Sequence, residues 1–185
     1  DLCWDSAQAA MDEGRLADAR RCGLEVLSQC PGHLGAQELL GEIDDRYERA
    51  SRLYAEARER GVSLPLQEAG MLLQEAARTY PNHPLAGCEE ARYLSRSEAY
   101  ASSVEWGRAA LIEGDCAQAL PYLRRAAVLN PGDPGAQLCL KYVEDFLAKA
   151  EAISSEMEAS VRCGEWQKAL MLAARLDRLE EEARS

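Results

Sequence analysis

The segment PGHLGAQELL at residues 31–40 returns as PGDPGAQLCL at 131–140, and PNHPLAGCEE opens at Pro81, midway between them. Each step is fifty residues, from 31 to 81 and from 81 to 131. Other positions keep the same interval. Ala19, Ala69, Ala119 and Ala169 share one phase, Ala36, Ala86 and Ala136 a second, and Gly14, Gly114 and Gly164 a third, with Leu64 in the odd slot. A fixed period of roughly 20–50 residues marks a stacked array, in which each repeat buries its apolar face only against its neighbours. This constrains the fold more than any single residue does.

Each repeat reads as two helices. A short one follows the glycine: RLADARRCGLEVLSQC, PLQEAGMLLQEAARTY, DCAQALPYLRRAAVLN and EWQKALMLAARLDRLE. Their apolar residues recur at steps of three and four, the helical period, as in Ala119, Leu123, Ala126 and Ala127. Proline then stops the helix, because it cannot continue the backbone bonding. A long helix follows, with His33, His83 and Asp133 in its N-cap slot and Pro84 and Pro134 next, where a missing N–H costs nothing. The stretches without glycine or proline predict single helices of roughly 27 residues, about 40 Å long at 1.5 Å per residue. In the first, the predicted stripe is Ala36, Leu40, Ile43, Tyr47, Ala50, Tyr54 and Ala57; in the last it is Ala136, Leu140, Val143, Leu147, Ala150 and Met157. The middle one carries Glu90 and Ser97 on its stripe. The second short helix has a rebuilt entry, RGVSLP, where Ser63 is expected to cap before Pro65.

The segment WGRAALIEGDCAQALPYLRRAAVLNPGDPGA (Trp106 to Ala136) resembles the tetratricopeptide repeat. Gly107 and Ala110 match its small residues, Gly114, Asp115 and Ala119 its turn and following alanine, and Leu123, Ala126 and Pro131 its close. The first copy keeps Ala7, Gly14, Ala19 and Pro31, the second Ala57, Ala69, Leu73, Ala76 and Pro81, the fourth Gly164, Trp166 and Ala169. Gly23 departs from the pattern, standing where a bulky residue is expected, and the fourth copy ends in RLEEEARS without the proline, as a polar cap does. The period also departs from the family's roughly 34 residues, and the surplus lengthens the long helix at its N-terminal end. The resemblance implies an all-α, right-handed helical-hairpin solenoid of alternating long and short antiparallel helices. It would form a single domain, 1–185, with units at about 1–31, 32–81, 82–131 and 132–185.

Such arrays bind an extended peptide or a helix of a partner protein in a concave groove. Carried onto this sequence, the groove positions are Trp4, Tyr54, Val104 and Ser154, then Gln8, Arg58, Arg108 and Glu158 one turn on. Trp4, Tyr54, Val104, Arg58 and Arg108, with Glu105 beside Arg108, form the expected contact set, and the two guanidiniums suit an acidic, apolar peptide. The lysine and asparagine of the family's chaperone-tail clamp are missing at these levels. The alternative is self-assembly through the long helices, using Ile43, Tyr47, Val143 and Leu147. A third reading, a regulatory module of a larger chain, fits the start at Asp1 and the acidic ends.

Composition narrows the partners further. The net charge is −11, from 32 acids and 21 bases, which opposes binding to nucleic-acid phosphates or anionic lipid. No run approaches the roughly 20 apolar residues of a membrane span. The seven cysteines, at 3, 22, 30, 88, 116, 139 and 163, contain no CxxC, and most lie at apolar helical phases. They are expected to be buried thiols in a reducing compartment, which favours the cytoplasm over a soluble periplasmic setting. No phosphate-binding glycine loop, HExxH or GxSxG motif is present, and both histidines read as caps. The expectation is a scaffold or adaptor with no catalysis, no metal and no cofactor.

Overall fold

The computed structural model describes residues 2–184, with side chains from 3 to 181. Its described residues form eight α-helices: α1 (Leu2–Asp12), α2 (Leu16–Gln29), α3 (Leu34–Arg60), α4 (Leu66–Thr79), α5 (Ala86–Ile112), α6 (Cys116–Leu129), α7 (Pro134–Arg162) and α8 (Trp166–Arg184). No strand occurs among the described residues. The fifty-residue period is written into these bounds. α2, α4 and α6 have 14 residues each, and the long helices α3, α5 and α7 have 27, 27 and 29.

Two compact units divide the chain, one ending at Leu94 and the other beginning at Ser95, so the boundary falls inside α5. In the first, Ala7, Ala10, Leu16, Ala19, Leu39, Ile43, Ala50, Tyr54, Leu73 and Ala76 form one core. In the second, Ala110, Cys116, Ala119, Leu123 and Val143 form another. All four alanines of the 19-69-119-169 phase are buried. Their small side chains let helices approach closely, and ridges of larger residues fill the remaining space.

The recurring glycine has a conformational cause. Gly14, Gly114 and Gly164 have φ of 73°, 77° and 77°, the left-handed region where a Cβ is penalised. Each closes the same double hydrogen bond at a helix C-terminus. Gly14 N donates to Met11 O (3.0 Å) and Arg15 N to Ala10 O (2.8 Å). Gly114 and Asp115 repeat this on Leu111 and Ala110, and Gly164 and Glu165 on Val161 and Ser160. The second copy differs: Gly61–Ser63 is a single 3₁₀ turn. Ser63 does not cap α4 as expected; its hydroxyl donates back to the Arg60 carbonyl, and Pro65 stands at the N-cap without a side-chain bond.

The proline phrase is a second device. Gln37 Nε2 donates to the Pro31 carbonyl at 2.9 Å, and Gln137 does the same to Pro131. The long helix thus holds its own entry turn, which accounts for the returning PGxxGAQ. The predicted caps follow. His33 Nδ1 accepts from Ala36 N at 3.1 Å, Asp133 accepts from Gly135 N and Ala136 N, and His83 Nδ1 accepts from Leu85 N at 3.2 Å.

Three further sequence expectations need correction. On α3 the buried stripe runs through Leu39 rather than Leu40, and Ile43 and Val143 are fully buried, so neither can form a self-assembly surface. Of the seven cysteines only Cys116 is buried; Cys3, Cys22 and Cys139 are half-buried, and Cys30, Cys88 and Cys163 are exposed. Cys30, Cys88 and Cys163 sit at or beside helix ends, where the apolar phase no longer faces a neighbour.

Candidate functional site

Two of the first row of expected groove residues, Trp4 and Tyr54, pack against the capping histidines. Trp4 on α1 packs against the His33 ring, with centroids 4.8 Å apart, and lies over Gly35, where a Cβ would come within 3.0 Å of its ring. Tyr54 on α3 faces His83 at 5.1 Å and is 0% exposed. A side chain without accessible surface cannot line a partner groove, so Tyr54 leaves the contact set. The second unit makes the corresponding tie with a different residue: the Tyr100 hydroxyl on α5 donates to the Asp133 carboxylate. That bond, chiefly, holds Asp133 below the usual carboxylate range, with the Gly135 and Ala136 N–H groups and the positive charge of Arg108 adding to it.

The other expected contacts fall in both units. Arg58 is exposed on α3 in the first unit. Val104 is half-buried, and Glu105 and Arg108 are exposed, on the part of α5 in the second unit. Ser154 is half-buried, and Gln8 and Glu158 are exposed.

His83 is the most elaborated polar group of the first unit. It is 3% exposed, enclosed by the rings of Tyr47, Tyr54 and Tyr80, and Nε2 lies 2.9 Å from Ser51 Oγ. Because Nδ1 accepts from Leu85 N, the ring proton sits on Nε2 and is donated to Ser51. In that tautomer no lone pair is available to activate the serine, so the pair acts as a tether between α3 and the α5 entry turn. Burial lowers the His83 pKa. A group whose folded pKa is depressed contributes its full stability above the unfolded value, near 6.5, and loses it as pH falls below that. Melting temperature should therefore decline between about pH 7.5 and 5.5. The His83→Asn variant, which still caps but does not titrate, should flatten that decline; an unchanged slope would remove His83 as its cause.

Two clefts open between a long helix and the short helix that follows it. The α3–α4 cleft, about 330 Å³, is lined by Glu42, Asp45, Arg46, Arg49, Arg78 and Thr79. It is neutralised internally: Arg46 pairs with Glu42 at 2.6 Å, and Arg49 with Glu75 at 2.7 Å. The α7–α8 cleft is larger, about 560 Å³. Its apolar lining is Ala152, Ile153 and Leu179, and its rim carries Lys149, Arg175, Arg178 and Glu156. Glu156 is already held by Lys168 at 3.1 Å. Sequence reasoning missed this cleft, because its residues lie outside the tetratricopeptide groove positions. The available signal was the repeat itself, which places Lys149 and Arg178 one hundred residues after Arg49 and Arg78.

Among the described residues, no group of three or more His, Cys, Asp and Glu side chains could hold a metal ion, and no helix is long and apolar enough to cross a membrane. No family model, curated protein or solved structure matches the chain.

Proposed function

We propose that the chain is a protein-interaction module, a tetratricopeptide-like array of helical hairpins that takes a peptide or helix of a partner protein without catalysing a reaction. One observation carries this: the α7–α8 cleft, about 560 Å³, combines an apolar lining with a charged rim. Such a mixture suits a side chain anchored in an apolar pocket and fixed by polar contacts around it. The repeat supports the reading, since stacked helical hairpins present extended surfaces built from equivalent positions. The expected contacts Arg58, Val104, Glu105 and Arg108 are accessible or half-buried and can extend the recognition surface of their own units.

Ala152 is exposed within the cleft, so a photo-crosslinking amino acid placed there should capture a partner in cells of the source organism. The same group at Leu138, exposed elsewhere on α7, should not capture it. Equal capture at both positions, or recovery of this chain alone, would overturn the reading.

A further inference from the structure

The two clefts occupy equivalent places in the repeat and differ in charge at one decisive position. Arg49 and Lys149 correspond, as do Arg78 and Arg178, because each pair is separated by two repeat lengths. Glu75, which neutralises Arg49 in the first cleft, corresponds to Arg175 in the second. The acid that closes one site is thus a third cation in the other. Lys149, Arg175 and Arg178 pair with no carboxylate among the described residues, and the one acid of that lining, Glu156, is bound to Lys168. In a chain of net charge −11, three unpaired cations around one apolar cleft stand out from the general field. The self-repulsion they bring is relieved by an anion between them.

We infer that the α7–α8 cleft binds a carboxylate-rich peptide segment, with an apolar side chain of that segment on Ile153, Ala152 and Leu179 and its carboxylates on Lys149, Arg175 and Arg178. This rests on the interaction-module reading and names its ligand. Guanidinium forks take carboxylates in paired hydrogen bonds, and such charge-assisted contacts exceed neutral ones in strength. Ile153 is buried while the three cations are exposed, so the apolar contact lies beneath the charged one. That order fits a segment in which acidic residues flank a leucine-like side chain. The α3–α4 cleft, with Glu42 and Asp45 in its lining and Arg49 held by Glu75, does not offer the same site.

The α3–α4 cleft supplies the test variant. Arg175→Glu writes the Arg49–Glu75 arrangement into the second cleft, giving Lys149 an internal partner in a geometry the fold already uses. The probes are a labelled nine-residue peptide of three Glu-Glu-Leu units and its Gln-Gln-Leu counterpart, titrated against the full chain by fluorescence anisotropy. The glutamate peptide should bind at least about tenfold more tightly than the glutamine one and weaken steeply with salt. Arg175→Glu should remove that preference while circular dichroism and melting remain those of the wild type. Equal binding of both peptides, blocked by Ala152→Trp, would leave the cleft reading standing and overturn its acidic specificity. Binding of neither peptide, together with no crosslink at position 152, would overturn both. Binding to phosphatidylserine vesicles but to neither peptide would also overturn the assignment, since a lipid surface would then be the anion recognised.

Discussion

A valine at Gly107 should destabilise the second unit by about 3 kcal/mol, the upper end of the usual range for overpacking a core. The cause is the close approach of α5 and α6. A Cβ at Gly107 would lie 2.9 Å from Leu123 Cδ2 and 3.1 Å from its Cγ, and 3.6 Å from Tyr122 Cβ. Leu123 cannot withdraw easily, being 1% exposed and packed in the core with Ala119 and Val143. Alanine is the milder case, because helix propensity returns about 1 kcal/mol against glycine. Gly41 is the control: it lies in the interior of α3, and a Cβ added there would meet nothing within 4 Å. Gly41→Ala should therefore stabilise by about 0.5–1 kcal/mol. Urea midpoints at constant slope measure all three. The pairing with Leu123 can be isolated, since Leu123→Ala alone should cost about 2–5 kcal/mol and the double variant less than the sum of the singles. A Gly107→Val midpoint equal to the wild type would mean that the helices do not approach as described.

Gly107 also shows what the sequence can reveal. Its role is legible because a small residue at a repeat position, opposite a bulky one a fixed distance later, has one efficient physical use. The turn glycines, the capping histidines and aspartate, and the lengths of the long helices are legible for the same reason: each is set by local backbone chemistry and restated every fifty residues. Tyr54 and Trp4 are not. A helical stripe tells which phase of a helix is apolar, but Trp4, Tyr54 and Val104 share a repeat position and differ in burial, with Tyr54 fully buried and the other two half-buried. The α7–α8 cleft is hidden by a comparable limit. Lys149 and Arg178 read as ordinary solvated charges until α7 and α8 are brought together, and the significance of Arg175 emerges only against the Arg49–Glu75 pair of the first unit.

Tyr54→Ala should cost about 3–5 kcal/mol, the range for removing a buried aromatic side chain, and should do so without depending on any ligand. If Tyr54 were a groove contact instead, its truncation would shift stability by no more than about 0.5 kcal/mol and act on binding alone. The two outcomes are separated by unfolding and anisotropy measurements on the same protein. Tyr54→Phe sharpens the distinction. The Tyr54 hydroxyl is buried and no protein group in the described residues bonds it, and burial, with the charge of Glu90 adding to it, raises its pKa. A polar group buried without a partner costs about 1–3 kcal/mol, so phenylalanine should be neutral or stabilising by about 1 kcal/mol. The ring, and not the hydroxyl, then carries the contribution of this residue, by excluding water from His83. It follows that Tyr54→Ala should also admit solvent to the imidazole, return its pKa toward the ordinary value, and flatten the loss of stability below about pH 6.5. Tyr54→Phe should leave that slope intact, because the enclosing ring remains. A Tyr54→Ala protein that keeps both the wild-type midpoint and the wild-type pH slope would place Tyr54 outside the core and return it to the surface.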